Sequence, residues 1–171
     1  MISAIVAVDA NWGIGFDGEL LERIPEDMKR FRELTKDNIV IMGRKTWDSL
    51  PSQPLPFRTN IIISSKMYLD YFMKYGSATI VTSMEQVKNH LATGYVFSPK
   101  KVFIIGGGQI YKELLPYCDR VYVTKIHQAY PNVDTYFPVD LDESPEWRQV
   151  ETGETREYGN TAYHFLTYER V

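Results

Sequence analysis

Short β-branched apolar runs alternate with helical segments along the chain, and this alternation limits the folds that the chain can adopt. Strands are predicted at residues 2–8, 38–42, 60–64, 78–81, 101–105 and 120–126. After the first run the hydrophobic spacing changes to the helical period, because Met28, Phe31 and Leu34 recur on one helical face. Strands that alternate with helices form mostly parallel sheets, since a helix is the usual crossover between parallel neighbours.

Residues that begin and end helices support this interpretation. Pro25 is suited to the first turn of the first helix. Ser83 is a predicted N-cap with Gln86 three residues later, and Pro116 ends a helix predicted from about residue 109 to 115. A short helix is also expected from 43 to 50. The tail alternates at 147–150 and 162–168 as an antiparallel pair would, so the predicted fold class is α/β with an antiparallel C-terminal strand.

Length and composition predict one domain with one sizeable core. The chain has 171 residues, of which 44% are hydrophobic, and a chain of this size buries about two-thirds of its unfolded surface. A net charge of -3 without blocks of like charge argues against nucleic acid or an anionic membrane as a partner. Cys118 has no partner for an internal disulfide, and the first residues lack the pattern of a signal peptide. We therefore expect a cytoplasmic protein.

Three tempting motifs do not meet their structural requirements. The glycines at 13, 15 and 18 match the dinucleotide pattern G-x-G-x-x-G, but the next helix begins only at Pro25 rather than directly after them. Residues 43–46 resemble the end of a phosphate-binding P-loop, yet Arg44 stands where the second glycine must be. His90, His127 and His164 are widely separated in sequence and have no spacing typical of a metal site, so no metal is expected.

A more informative segment is the run of three glycines at 106–108, between a predicted strand and a predicted helix. Glycines there let a phosphate approach backbone N–H groups, and the helix N-terminus adds partial positive charge. A tight turn would explain one or two glycines but hardly three. Arg44, Lys45 and the Ser65-Lys66 pair each follow a predicted parallel strand at its ligand-binding end. If those strands are neighbours, their basic groups could meet one phosphomonoester.

A series of short motifs runs in order along nearly the whole chain. They are residues 2–7, Ile14-Gly15, Pro25 with Asp27, Met28 and Phe31, residues 41–47, Pro54-Leu55-Pro56 with Arg58 and Asn60, Gly106-Gly107-Gly108 with Tyr111, Thr124, Asp134-Thr135 and Phe137-Pro138. In this order they resemble the dihydrofolate reductase family. The resemblance implies a single domain with a mostly parallel eight-stranded sheet, an antiparallel C-terminal strand and four flanking helices. It also implies an adenosine-binding subdomain from about residue 38 to 101.

The activity implied by the resemblance is the NADPH-dependent reduction of 7,8-dihydrofolate, with hydride transfer to C6 and protonation at N5. Asp27 would orient the pterin, and burial should raise its pKa so that it can assist protonation directly or through a water. Thr124 would support Asp27 as the second catalytic residue. Arg58 would pair with the α-carboxylate of the substrate's glutamate tail. The implied substrate-binding residues are Ile5, Ala7, Met28, Phe31, Leu50, Leu55, Arg58 and Thr124.

The resemblance likewise assigns NADPH as the cofactor. Arg44, Ser65 and Lys66 would hold its 2′-phosphate, and Thr46 with the 107–108 backbone would hold the pyrophosphate. A cis peptide is expected between Gly106 and Gly107, and residues 8–24 would form a mobile lid over the nicotinamide. The implied cofactor-binding residues are Ala7, Ile14, Gly43, Arg44, Lys45, Thr46, Ser64, Ser65, Lys66, Ile105, Gly106, Gly107, Gly108, Gln109, Ile110, Tyr111 and Thr135.

One departure from the family pattern lies just before the first helix. The family usually has Pro-Trp where this chain has Leu21-Glu22, so an aromatic cover of the pterin is missing. If the lid keeps its usual path, Glu22 would lie near Asp27 and raise its pKa. The favoured expectation is that Glu22 turns outward and pairs with Arg23 or Arg30, because an ionised carboxylate avoids an apolar pocket.

Two functions other than dihydrofolate reduction are alternatives for this chain. An NADPH reductase of the same fold that acts on pyrimidine precursors of riboflavin should lack Asp27 and Arg58 in these contexts, and both are present. A non-catalytic protein that binds folate or NADPH is the alternative from another class, supported only by the missing tryptophan. The expected partners are the small-molecule substrate and the cofactor. The chain is expected to act as a monomer.

Overall fold

The computed structural model describes residues 1–66, 76–94 and 99–171. Its strands, in chain order, are β1 (Ile2–Val8), β2 (Gly13–Phe16), β3 (Glu19–Leu20), β4 (Ile39–Gly43), β5 (Thr59–Ile63), β6 (Thr79–Val81), β7 (Val102–Gly106), β8 (Arg120–Ile126), β9 (Thr135–Tyr136), β10 (Trp147–Thr152), β11 (Arg156–Tyr158) and β12 (Thr161–Arg170). Its α-helices in the same ranges are α1 (Pro25–Thr35), α2 (Arg44–Ser49), α3 (Met84–Thr93) and α4 (Gly108–Leu114).

The main sheet confirms the predicted α/β class. Its strands follow the order β10-β12-β8-β1-β7-β4-β5-β6, which is a path of eight. The neighbours from β8 to β6 are parallel, whereas β12 runs antiparallel to β8 and β10 antiparallel to β12. The short strand β11 pairs with β12 beside this path, so the C-terminal part is a larger antiparallel unit than the predicted pair.

The three glycines at residues 11–18 predict a flexible loop after β1, but the structure shows a more ordered segment. Strand β2 pairs with β3 and β9 in a separate three-stranded sheet. Buried Asp9 fixes the approach to β2, since its Oδ1 accepts a hydrogen bond of 2.8 Å from the Gly13 N–H. A Cβ on Gly13 would lie 2.8 Å from Cγ1 of Val133, so close packing explains this glycine. The prediction of a flexible loop was therefore wrong for residues 13–16, and β3 at residues 19–20 was not predicted.

The helix ends follow the sequence signals. Helix α1 begins with Pro25 in its first turn, and the Ser83 hydroxyl accepts a hydrogen bond from the Gln86 N–H at the start of α3. Helix α4 begins one residue before the predicted start and ends at Leu114, where a 3₁₀ turn over Leu115–Tyr117 contains Pro116. Proline cannot donate to the helical ladder, which accounts for that end.

Side chains that alternate along the central strands fill two cores on opposite faces of the sheet. In β4, Ile39 and Ile41 belong to the core beneath α3 and α4, whereas Val40 and Met42 belong to the core beneath α1 and α2. Trp47 of α2 is fully buried in the second core. Truncating a buried tryptophan to alanine typically costs about 3–5 kcal/mol of stability, so α2 is firmly held.

None of the helices in the described ranges is long and apolar enough to cross a membrane.

Candidate active site

The predicted phosphate-binding residues lie together at the carboxyl edge of the parallel strands. Strand β4 lies between β5 and β7, with Gly43 opposite Ile63 and Met42 opposite Gly106. The segments that follow these three strands contain Arg44, Ser64–Lys66 and the 106–108 glycines. The condition that these strands be neighbours is met. Ligands of open α/β sheets bind at this edge, so the strand order indicates one shared site.

The basic side chains of this edge are accessible. Arg44 is partly exposed, and its Nη1 lies 3.3 Å from Oδ2 of Asp48 one turn further along α2. Lys45 and Lys66 are exposed. An exposed ion pair of this kind contributes at most about 1 kcal/mol, so Arg44 can exchange Asp48 for an anionic ligand at little cost.

The Ser64 segment is held by short-range hydrogen bonds. The buried Ser64 hydroxyl donates to the Lys66 carbonyl at 3.1 Å and accepts from the Lys66 N–H at 3.3 Å. This turn leaves Ser65 exposed. Ser64 thus organises the turn, and Ser65 and Lys66 are the members that can meet a ligand.

The glycine run forms a closely packed backbone cradle. The Gly106–Gly107 peptide is cis, as predicted, and Gly106 has a φ of 112°, which favours glycine. A Cβ on Gly106 would lie 3.0 Å from the Tyr111 ring, and one on Gly108 would lie 2.8 Å from Cγ2 of Thr135. A Cβ on Gly107 would lie 3.5 Å from Oγ1 of Thr46. The structure therefore brings together the glycines, Thr46 and Thr135.

The remaining predicted residues of α4 differ in exposure. Gln109 is exposed, and its side chain donates to Glu113 at 3.0 Å. Ile110 is buried and packs where a Cβ on Gly43 would lie, 3.0 Å from Cγ1 of Ile110. Tyr111 is only 4% exposed, and its hydroxyl donates to the Ile5 carbonyl at 2.7 Å. Its described contacts make Tyr111 a support beneath β1 and the cradle.

Two further cofactor candidates lie at strand ends nearby. Ile14 of β2 is buried in the core that contains Tyr111, and Ile105 of β7 is partly buried on the opposite face. Thr135 lies in β9 opposite Gly15, and its hydroxyl donates to Asp134 at 2.8 Å. Because Thr135 also lies close to Gly108, the small sheet packs against the start of α4.

Asp27 lies at the inner side of α1, directly above the main sheet. The Thr124 hydroxyl of β8 donates a 2.5 Å hydrogen bond to its Oδ1, and Thr124 is paired with Ala7 in β1. Burial raises the pKa of Asp27, while the Thr124 hydrogen bond and the charge of Arg30 oppose that rise. The direction of the shift agrees with the prediction. A carboxyl whose proton is held towards higher pH is suited to acid–base chemistry.

Apolar side chains near Asp27 form one wall of the site. Ile5, Phe31, Leu50 and Leu55 belong to the core beneath α1 and α2, and the last three of them are only partly buried. Met28 follows Asp27 in α1 and is partly exposed, outside the side chains of that core. Four of the apolar residues predicted to contact the substrate thus share one cluster, and their contact with a substrate stays a prediction.

Arg58 lies at the far side of Phe31 and is held in place by neighbouring oxygens. Its Nε donates to the Pro56 carbonyl at 2.8 Å, and its Nη1 donates to the Thr35 hydroxyl at 3.2 Å. Its Cζ is 5.7 Å from the centre of the Phe31 ring. Burial and the nearby charge of Arg32 lower the pKa of Arg58, so a carboxylate bound there would be favoured by both cations. Such a pair is suited to a carboxylate.

Glu22 turns away from Asp27, as the favoured expectation had it, but its partner is neither of the two expected arginines. Its Oε2 accepts a hydrogen bond of 3.0 Å from the Tyr130 hydroxyl. Arg23 pairs with Glu19 at 3.1 Å, and Arg30 donates to backbone carbonyls, so the predicted pairing of Glu22 with either arginine was wrong. The groups that shift the pKa of Asp27 are its burial, Thr124 and Arg30. Glu22 therefore turns away to a partner that the sequence did not identify.

The first half of the predicted lid is anchored. Trp12 is 5% exposed and packs against Phe137 and Tyr168, with ring centres 6.0 Å and 6.2 Å away. The Nζ of Lys125 lies 3.8 Å from the centre of the Trp12 ring. Movement of residues 8–24 stays a prediction, and any such movement must occur beyond Trp12.

Sequence reasoning missed the place of Arg30 beside Asp27 and the contact between two histidines. Arg30 was considered only as a partner of Glu22, although its place one turn after Asp27 was the signal that it faces the same pocket. His127, which directly follows β8, and His164 of β12 are far apart in sequence, yet their ring centres are 4.7 Å apart. Only the pairing register of these strands reveals that contact.

Comparisons with known proteins give a consistent result. The family model described as dihydrofolate reductase matches residues 1–170. The chain is 40% identical over 172 residues to the dihydrofolate reductase of Bacillus subtilis, covering 99% of this chain and 95% of that protein. It is 38% identical over 175 residues to that of Mycobacterium tuberculosis, covering 99% and 98%.

A solved structure is similar over the same extent. It is a dihydrofolate reductase from Enterococcus faecalis complexed with NADP(H) and RAB-propyl, with a TM-score of 0.81 and 34% identity. The match covers 99% of this chain and 96% of that chain.

Proposed function

The chain belongs to the dihydrofolate reductase family, and on that premise we propose that it reduces 7,8-dihydrofolate to 5,6,7,8-tetrahydrofolate with NADPH. The observation that supports this assignment most is the buried Asp27 carboxyl, held by Thr124 in an apolar pocket. Thr124 is paired with Ala7 of β1, and Tyr111, whose ring lies against Gly106 of the cradle, donates to the Ile5 carbonyl of the same strand. A polar group that orients one ring therefore lies beside a site for a phosphorylated cofactor.

Asp27 orients the pterin ring in this proposal. Its carboxylate accepts hydrogen bonds from the 2-amino group and from N3–H of the ring, and charge-assisted bonds of this kind contribute about 1.5–3 kcal/mol each. Ile5, Ala7, Met28, Phe31, Leu50 and Leu55 provide the apolar surroundings of the substrate. Arg58 binds the α-carboxylate of the glutamate tail, and the Thr35 and Pro56 oxygens fix its guanidinium for that contact.

Protonation at N5 depends on the same carboxyl. Because burial raises the pKa of Asp27, the group keeps its proton to higher pH than an exposed aspartate does. Asp27 then passes the proton itself or polarises a water that does so. Thr124 holds the carboxyl oriented through either step.

The cradle fits NADPH, because side chains at Gly106 and Gly108 would collide with Tyr111 and Thr135 and the bare backbone stays open to a phosphate. When bound, NADPH supplies the hydride that is transferred to C6 of the pterin. Arg44, Ser65 and Lys66 hold its 2′-phosphate, and Thr46 with the Gly107 and Gly108 backbone holds the pyrophosphate. The other residues assigned to the cofactor by resemblance are Ala7, Ile14, Gly43, Lys45, Ser64, Ile105, Gly106, Gln109, Ile110, Tyr111 and Thr135.

The proposal also covers assembly, location, partners and the division of the domain. The enzyme acts as a monomer in the cytoplasm without nucleic acid, and residues 38–101 form the adenosine-binding part of one domain. Residues 67–75 and 95–98 of that part lie outside the described ranges. Size-exclusion chromatography with light scattering checks the monomer, for which a mass near 19.8 kDa is expected.

The proposal is tested by mixing the protein with NADPH and following NADPH absorbance. We expect oxidation only after dihydrofolate is added. Binding of NADPH and folate without oxidation would instead favour the non-catalytic binding protein. Oxidation with a pyrimidine precursor of riboflavin but not with dihydrofolate would favour the other reductase of this fold.

A further inference from the structure

Arg30 connects the helix that carries Asp27 to the strand that carries Thr124. Its Nη1 donates to the Val123 carbonyl at 3.2 Å, and its Nη2 donates to the Leu166 carbonyl at 3.4 Å. Val123 directly precedes Thr124 in β8 and is paired with Leu166 in β12. One guanidinium thus joins α1 to two neighbouring strands at the level of the Asp27–Thr124 hydrogen bond.

Aromatic rings keep Arg30 in this position. Its Cζ lies 4.6 Å from the centre of the Phe165 ring and 5.5 Å from that of Tyr122. Arg156 contacts the same Phe165 ring, with its Cζ 5.3 Å from the centre, but forms its ion pair with Glu26. A planar guanidinium that stacks on rings and forks between two carbonyls has few alternative positions.

The charge of Arg30 acts on two carboxylates. Asp27 lies one turn before it on α1, and Glu151 faces it from β10; both favour its charged form. The Thr167 hydroxyl donates to Glu151 at 2.8 Å, which fixes this second carboxylate. Because burial would otherwise make the cation costly, these two acids and the carbonyls explain how it stays charged there.

We propose that Arg30 is a positioning residue for Asp27. It sets the spacing between α1 and β8 at which Thr124 reaches the Asp27 carboxyl, and it places a positive charge beside that carboxyl. The inference deepens the proposed function and rests on the role of Asp27 in it. Removing Arg30 is expected to misplace Asp27 and to make its carboxyl hold the proton to higher pH.

The other groups that face Asp27 do not supply such a charge. Thr124 faces it from β8, Tyr111 from α4 and Tyr163 from β12. Burial raises the pKa of both tyrosines, so they stay neutral over the working range. Tyr122 contacts the far side of Arg30 from β8. Among these groups Arg30 is the one whose charge opposes the effect of burial on Asp27.

The test compares Arg30→Met, Arg30→Lys and the control Arg156→Met, which removes a cation from the same ring. Asp27 is titrated by ¹³C NMR of labelled aspartate, with its signal assigned through Asp27→Asn, and kcat is measured across pH. In Arg30→Met both midpoints should move to higher pH, and kcat on the low-pH plateau should fall about tenfold to a hundredfold. In Arg30→Lys the midpoints should stay near wild type while the plateau still falls, because charge is kept and the fork is lost. Arg156→Met should leave both unchanged.

A folded Arg30→Met with wild-type midpoints and plateau would overturn the inference. If Arg30→Met does not fold, Arg30→Lys decides, because a wild-type plateau in that variant contradicts the positioning role. The NMR titration needs no turnover. A wild type that does not reduce dihydrofolate would therefore refute the proposed function while the titration still measures the effect of Arg30 on Asp27.

Discussion

The Thr124 hydroxyl donates a 2.5 Å hydrogen bond to Oδ1 of Asp27, across 97 residues of sequence. This bond joins the first turn of α1 to the centre of the main sheet. It also opposes the rise in the pKa of Asp27 that burial causes.

Replacing Thr124 with valine keeps the shape and removes the donor, so the pKa of Asp27 should rise further. The pH profile of kcat/KM should then move to higher pH, while Thr124→Ser, which keeps the hydroxyl, should retain the wild-type profile. A valine variant with an unchanged profile would show that the hydroxyl does not act on the reacting carboxyl.

Arg44 is expected to select NADPH over NADH. Its loss in Arg44→Ala should raise the KM for NADPH about tenfold to a hundredfold, the effect of losing about 1.5–3 kcal/mol of charge-assisted contact. The KM for NADH should change little, because NADH lacks the 2′-phosphate. The matched control is Asp48→Asn, which removes the acidic partner of Arg44 and leaves the positive charge of Arg44 in place. Steady-state KM values for both cofactors check this, and an unchanged ratio in Arg44→Ala would assign the phosphate to other residues.

Glu22 is expected to leave the acid–base step alone, because its carboxylate accepts the Tyr130 hydrogen bond. The kcat pH profiles of Glu22→Gln and Glu22→Trp should therefore have the wild-type midpoint. Glu22→Trp restores the aromatic cover usual in the family, so it should bind antifolates that depend on such a cover more tightly. Inhibitor Kd values measured beside the profiles separate the two effects. A lower midpoint in Glu22→Trp would mean that Glu22 acts on Asp27 after all, and an unchanged Kd would contradict the role of the cover.

Gly108 is expected to be required for stability and for NADPH binding, because a side chain at this position would collide with the methyl group of Thr135. A Cβ at Gly108 would lie 2.8 Å from Cγ2 of Thr135, closer than real Cβ atoms approach other atoms. Gly108→Ala should lower Tm and weaken NADPH binding. The double variant Gly108→Ala/Thr135→Ser removes the colliding methyl group and keeps the hydroxyl, so it should recover most of both losses. Thermal unfolding and NADPH titration of the single and double variants test this, and a double variant no better than Gly108→Ala would locate the constraint elsewhere.

The sequence was sufficient for most of the fold because local chemistry and tertiary structure agree along most of this chain. The apolar runs of β1, β4 and β7 are buried on both faces of a parallel sheet, and Pro25 and Ser83 begin helices as their chemistry predicts. The small sheet was missed because its strand β2 contains glycines, which are required by packing against residues such as Val133 rather than by a turn.

The residues of the candidate site likewise differ in whether the sequence could predict them. Asp27, Arg58 and the glycine run could be predicted because each belongs to a motif with a defined local context. The partner of Glu22 and the role of Arg30 could not, because they depend on which distant side chains reach the same place. Helical spacing placed Arg30 beside Asp27, but the carbonyls of β8 and β12 become visible only in the folded chain.

In the proposed mechanism, the Asp27 carboxyl of this family member orients the pterin of dihydrofolate and helps to protonate it. The most direct test is kcat of Asp27→Asn at neutral pH, with saturating NADPH and dihydrofolate. An amide keeps the shape and part of the pterin contact but cannot carry the charge or hold the proton, so most of kcat should be lost while the variant remains folded. Turnover near that of the wild type would show that the Asp27 carboxyl has no part in the reaction.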